Sequence, residues 1–146
     1  MMNEYAKLIE IRWADLDPNF HVLHSKYYDF GAYCRMSFLT ENGITVDQMQ
    51  EYHIGPIIFR EECQFKREIK FGNEVKVTLK LDKVTENYRK WTMVHELFIN
   101  GGTLAALITV DGAWMNTQLR KTAVPPMSFA RAFDIIPRTD TFTISS

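Results

Sequence analysis

Two carboxylates and two imidazoles, Asp15, Asp17, His21 and His24, fall within one stretch of ten residues. Side chains of these types can hold a metal, move a proton or attack a carbonyl carbon. They can also do nothing more than shape a turn or cap a helix. Pro18 and Asn19 between them make the middle of the stretch a turn. Three-residue histidine spacing suits helix ligands, but Pro18 and Phe20 interrupt it and no recognised metal pattern results, so no metal is expected. Spacing alone leaves both aspartates open between turn-formers and reacting acids.

The elements around this stretch must position it. Ala6 to Trp13 reads as a strand, with Ile9, Ile11 and Trp13 on one side. Ser25 to Asn42 reads as a helix closed by Gly43. Its polar positions Lys26, Asp29, Tyr33, Ser37 and Thr40 form a single stripe, and nearly all the rest is apolar or aromatic. Such a helix has to be enclosed by something broad. Gly31 in its middle costs about 1 kcal/mol of helix propensity, which predicts a close approach of backbone from elsewhere. A short helix over Val46 to Tyr52 follows, started by Thr45.

From there the period changes to two. Ile57, Phe59, Glu61, Cys63 and Phe65 alternate with Ile58, Arg60, Glu62, Gln64 and Lys66, and the same period of two runs over Val75 to Leu81 and Trp91 to Ile99. Asn100-Gly101-Gly102 signals a hairpin into a last strand, Thr103 to Met115. Leu119 to Pro126 reads as extended, Met127 to Ile135 as a short helix, and 137–146 as a polar, frayed tail behind a single domain over 1–136. The pattern predicts an α+β fold, a long five-stranded antiparallel sheet wrapped around one helix.

Composition narrows the function classes. The 146 residues, 46% hydrophobic, suit one domain with one core. A net charge of −1 argues against a general nucleic-acid binder. No apolar run reaches the roughly 20 residues of a membrane span, and the first residues lack the apolar core of a signal peptide. Cys34 and Cys63 lie in apolar patterns and read as reduced thiols, which points to the cytoplasm.

Asp15-x-Asp17, His21-Val22, Tyr27 and Cys34-Arg35 together resemble the N-terminal motif of hotdog-fold acyl-CoA thioesterases of the 4-hydroxybenzoyl-CoA thioesterase type. Phe71-Gly72-Asn73 resembles the turn before that family's third strand, and Arg120 to Pro125 its basic-apolar-proline ending. Three departures stand out. Phe20 replaces a glycine, Leu23 a small polar or aromatic residue, and Asn73 an aspartate. A glycine before the histidine permits a backbone angle that phenylalanine resists.

The resemblance implies a hotdog fold, a homodimer or dimer of dimers with a site between subunits, and an acyl-CoA substrate with no separate cofactor. It makes Asp17 the catalytic carboxylate, attacking directly or activating water. The N-terminus of the long helix and the start of the next strand, near Gly55, supply N–H groups to the thioester oxygen. His24 is placed to orient Asp17, line the pocket or cap the helix. Tyr27, Tyr28 and Phe59 are candidate linings of an acyl pocket. Phe59 and Pro18 are also candidates for desolvating Asp17. Lys66, Arg67 and Lys70 before one turn, and Arg89, Lys90, Arg120 and Lys121 at others, are candidate phosphate ligands. Arg35 and His95 read as structural, and Glu61 as a pocket or interface acid or a sign that the strand's faces are reversed. Two rivals remain at this level: a hotdog acyl-CoA hydratase or dehydratase, and a non-catalytic module that binds acyl groups or acyl carriers.

Overall fold

The computed structural model describes residues 1–146. Its axis is α1, Lys26–Glu41, which buries Tyr27, Phe30, Gly31, Cys34, Arg35, Phe38 and Leu39 and leaves Asp29, Tyr33, Met36 and Thr40 exposed. A sheet curls around the buried side. Its order from one edge is β2 (Ile54–Phe65), β6 (Thr103–Asn116), β5 (Lys90–Ile99) and then β3 (Val75–Thr78) with β4 (Lys80–Thr85). The far edge is shared by β1 (Ala6–Ile9), antiparallel to β3, and β8 (Arg138–Ser145), parallel to β4. The short β7 (Lys121–Thr122) adds to β6. Helix α2, Val46–Tyr52, precedes β2, and α3, Met127–Asp134, precedes β8.

The hotdog architecture is as expected, but the anticipated five antiparallel strands become eight, because the third is split into β3 and β4 and the short β7 and the parallel β8 are added, and three local corrections follow. The single strand anticipated over Val75 to Leu81 is broken at Leu79, whose N–H bonds the Tyr5 carbonyl (3.0 Å). The first strand stops at Ile9 rather than Trp13, because the Asp15 carboxylate takes the Arg12 backbone N–H (2.9 Å) and guanidinium (2.9 Å) and winds Trp13–Asp15 into a 3-10 turn. The tail is not frayed. Asp82 Oδ1 accepts the hydroxyls of Thr139 (2.6 Å) and Thr141 (2.7 Å), which ties β8 along β4.

Gly31 is indeed a point of close approach, but to a side chain. A Cβ there would lie 3.0 Å from His95 Cδ2. The ring is fixed at both nitrogens. Nδ1–H donates to the Thr78 carbonyl (2.9 Å), which leaves Nε2 to accept from Arg35 Nη1 (3.0 Å). On its other side Arg35 Nη2 lies 3.8 Å from Glu61, which explains an acid on an otherwise apolar face of β2. Burial first, then the Arg35 charge, pushes the His95 pKa down to about 3. Unfolded, His95 takes a proton below its ordinary pKa near 6.5; folded, it refuses one until far lower. Between those values the unfolded state carries the extra proton, so stability falls as pH falls. Urea titrations from pH 6.5 to 4.5 should show a loss of up to about 1.4 kcal/mol per pH unit from this group. The same slope in His95→Gln would remove the assignment.

Candidate active site

The loop 15–24 folds around its two aspartates, and they take different roles. Asp15 is buried and committed to Arg12, which holds its carboxyl below the usual range, first by the side-chain hydrogen bond. Asp17 is half-buried, and one oxygen, Oδ1, accepts the backbone N–H groups of Asn19 (2.9 Å) and His21 (3.1 Å). No side chain takes its other oxygen, so Asp17 is held in place with a carboxylate oxygen free for chemistry. Backbone bonds from Asp17 N to His21 O (2.8 Å) and from Leu23 N to Asp15 O (2.8 Å) close the loop.

Phe20 takes the glycine-like backbone angle all the same, with φ +64°. That costs about 1–2 kcal/mol. Part is returned by stacking on the surface: Phe20 packs edge-on to Trp13 (centroids 6.3 Å), which in turn meets Phe71 (5.4 Å). Asn73 serves its turn as an aspartate does, accepting the Lys70 N–H at 2.7 Å.

The loop leads straight into α1. Ser25 at the N-cap makes no side-chain bond to the helix, and the Lys26 N–H donates to the Leu23 carbonyl (2.9 Å). Tyr27 is buried there, 4.9 Å centroid to centroid from Phe65. Its hydroxyl pKa is raised, by burial first, with Cys63, Glu68 and Asp17 adding. Tyr27, Phe65, Lys66, Arg67 and Glu68 form a shallow hollow of 230 Å³. His24 is exposed and makes no hydrogen bond to Asp17, while His21 Nε2 lies 3.2 Å from Glu68. These acids and imidazoles do not converge as a set of metal ligands.

The remaining predicted residues lie elsewhere. Gly55, Arg89 and Lys90 sit toward the other end of β2, because Ile57 pairs with Ala113 and Ala113 with Lys90, and Phe59 lies at the middle of the strand. Eleven residue-to-residue steps along the strand separate Gly55 from Lys66, which spans roughly 35 Å. Phe59 is exposed at a bulge between Ile58 and Arg60, so it neither lines a helix-side pocket nor desolvates Asp17 within the chain. The bulge turns Pro56 and Ile58 toward α1 instead. There they help to line a cavity of 250 Å³ with Arg35, Met36, Trp91 and Trp114. Sequence reasoning missed this cavity; the signal was the unpaired apolar surface of Met36 and Ile58 opposite two tryptophans.

No helix is long and apolar enough to cross a membrane. No curated protein is similar enough to the chain to count as a match. Among solved structures the chain resembles SAV2348 of Staphylococcus aureus in complex with CoA, at a TM-score of 0.85 and 18% identity over 96% of this chain and 89% of that one. It also resembles the DHNA-CoA thioesterase of Staphylococcus aureus (0.81; 18% identity; 91% and 90% covered). The 1,4-dihydroxy-2-naphthoyl-CoA thioesterase Slr0204 of Synechocystis is similar at 0.80 and 13% identity, with 90% and 96% covered. At these identities the likeness is one of fold. The sequence itself, over residues 11–133, matches the thioesterase-like superfamily, and the chain belongs to that family.

Proposed function

We propose that the protein hydrolyses acyl-CoA thioesters, with Asp17 as nucleophile or as the base that activates water. The observation that carries this reading is the Asp17 carboxylate, anchored through one oxygen by two backbone N–H groups beside an uncapped helix N-terminus. A thioester carbonyl set between them meets an attacking group and donors for the oxyanion. Release of free thiol from a panel of acyl-CoAs tests it. No release from any member overturns it.

The division of the site residues supports a shared site. Asp17, Tyr27, Lys66 and Arg67 gather at one end of β2, and Gly55, Lys90 and the 250 Å³ cavity at the other. The β2 strand pairs only with β6, which leaves an edge of 12 residues open. Antiparallel pairing of two β2 edges about a two-fold axis brings the Asp17 end of one chain to the cavity end of the other. The acyl group then enters the partner's cavity between α1 and the sheet. Sedimentation at micromolar concentration should give a dimer or larger, and an active monomer would remove the shared site.

Lys66, Arg67 and Lys90 are exposed and take part in none of the ion pairs within the chain, so they are free for the phosphates of CoA. KM for an acyl-CoA should therefore rise with ionic strength while kcat moves less. The same acyl group on a small neutral thiol should show little change. Equal salt dependence for both thioesters removes the phosphate clamp.

A further inference from the structure

Three aromatic rings meet on the surface beside Asp17, drawn from three separate segments. Trp13 comes from the 3-10 turn, Phe20 from the loop itself and Phe71 from the turn before β3. The isolated bridge between His21 and Lys70 is antiparallel, which sets Phe20 opposite Phe71. Trp13 packs against both, at 6.3 and 5.4 Å between centroids. Yet Trp13, Phe20 and Phe71 stay 70%, 62% and 51% exposed, so the cluster is not a piece of core.

Phe20 sharpens the point. Its φ of +64° strains a residue with a side chain and is free to glycine. Contact with Trp13 offsets part of that strain and still leaves most of the ring in solvent. A backbone outlier that presents apolar surface to water points to a ligand. Cations run alongside. Lys66, Arg67 and Lys70 are exposed, and none of them takes part in an ion pair within the chain. Of the acids in the same segments, Asp15 is held by Arg12 (2.9 Å) and Glu68 lies 3.2 Å from His21. The surface therefore joins flat aromatic faces to positive charge without a partner.

We propose that this surface binds the nucleotide end of CoA, with adenine stacked on the Trp13, Phe20 and Phe71 rings and the phosphates on Lys66, Arg67 and Lys70. The identity of the ligand as CoA rests on the proposed thioesterase reading; a flat ring joined to anions rests on this surface alone. Stacking needs exposed aromatic faces and no hydrogen-bond code, which is what three such rings offer. Adenine is the one flat ring in CoA, and phosphates hang from its ribose, so a single molecule answers both halves of the surface. The loop is shared as well. Phe20 N–H donates to the Asp17 carbonyl (3.0 Å), so a nucleotide on the rings is tied to the segment that carries the attacking group. A membrane is the weaker occupant: the chain has a net charge of −1, and an anionic leaflet would press on Asp17 and Glu68 as well as on the lysines.

Binding can be read without turnover. The probes are adenosine 3′,5′-bisphosphate and methyl ribofuranoside 3,5-bisphosphate, which carries the same phosphates and no base. Calorimetry should show the adenosine compound binding about tenfold more tightly, within the range for one stacked base. It should also quench Trp13 emission, read against a Trp13→Phe control because Trp91 and Trp114 are buried. Phe20→Gly and Phe71→Ser should each shrink the base preference severalfold, while Lys70→Gln should weaken both probes alike. Glycine takes the backbone angle of Phe20 without strain, so lost preference in Phe20→Gly is not a folding defect. Equal binding of the two probes, or binding of neither, overturns the inference. So does capture of the parent on phosphatidylcholine–phosphatidylserine vesicles that Phe71→Ser abolishes, for then the rings serve a lipid surface. Loss of self-association in Phe71→Ser overturns it too, for then a second copy covers them. Base preference in a protein that releases no thiol from any acyl-CoA sinks the thioesterase reading and leaves the nucleotide site standing. Thiol release without base preference does the reverse.

Discussion

Asp17→Asn should release thiol from an acyl-CoA at least about a hundredfold more slowly than the parent, the lower range for losing a positioned acid–base group. The substitution keeps an oxygen for the Asn19 and His21 N–H groups, so the loop and the melting temperature should hardly change. KM should move little, because the change removes what acts on the carbonyl and not what binds CoA. Asp15→Asn should show the opposite profile. Its carboxylate is buried against Arg12, so stability falls more than rate. His24→Ala should have a small effect, since the imidazole is exposed and makes no hydrogen bond to Asp17. Near-parent hydrolysis by a folded Asp17→Asn protein would end the proposed mechanism.

Mixing two dead proteins should restore activity. Met36→Trp fills the mouth of the cavity without touching the β2 edge, and Asp17→Asn removes the carboxylate. If each site takes Asp17 from one chain and the cavity from the other, a mixed dimer holds one intact site and one doubly damaged site. Random exchange makes half the dimers mixed, so activity should return to about a quarter of the parent's. Each variant alone stays near background. A site contained in one chain predicts no recovery at any mixing ratio. Refolding the two from denaturant together, then assaying thiol release, separates the two cases.

The long elements were legible because one physical signal dominated each. Apolar girth on 25–42 demanded enclosure, period two marked the strands, and Thr45 and the Asn100-Gly101-Gly102 turn are local chemistry that tertiary contacts did not override. The Asp17 loop was legible through resemblance, and the structure adds which aspartate is tied up and which keeps a free oxygen. What stayed hidden depended on contacts distant in sequence. Gly31 announced crowding but could not say that an imidazole 64 positions away was its cause. The polar tail looked unanchored because its anchor, Asp82, lies on another strand. Arg89 and Lys90 looked like companions of Lys66 and Arg67 by charge alone, and only sheet register separates them.

The extra residue at Phe59 changes how the edge strand has to be counted. Before it, even positions face the helix: Ile54 is buried, and Pro56 and Ile58 line the cavity. After it, odd positions do: Glu61 meets Arg35, and Phe65 meets Tyr27. A saturation scan along 54–65 should therefore show its pattern of tolerated polar residues change parity at Phe59. Deleting that one residue would do more harm than most substitutions in the strand, because it would put one half of the strand out of phase with the other. Aligned to a relative without the bulge, the chain needs a one-residue gap there, and any pocket role read across such an alignment falls on Ile58 in place of Phe59.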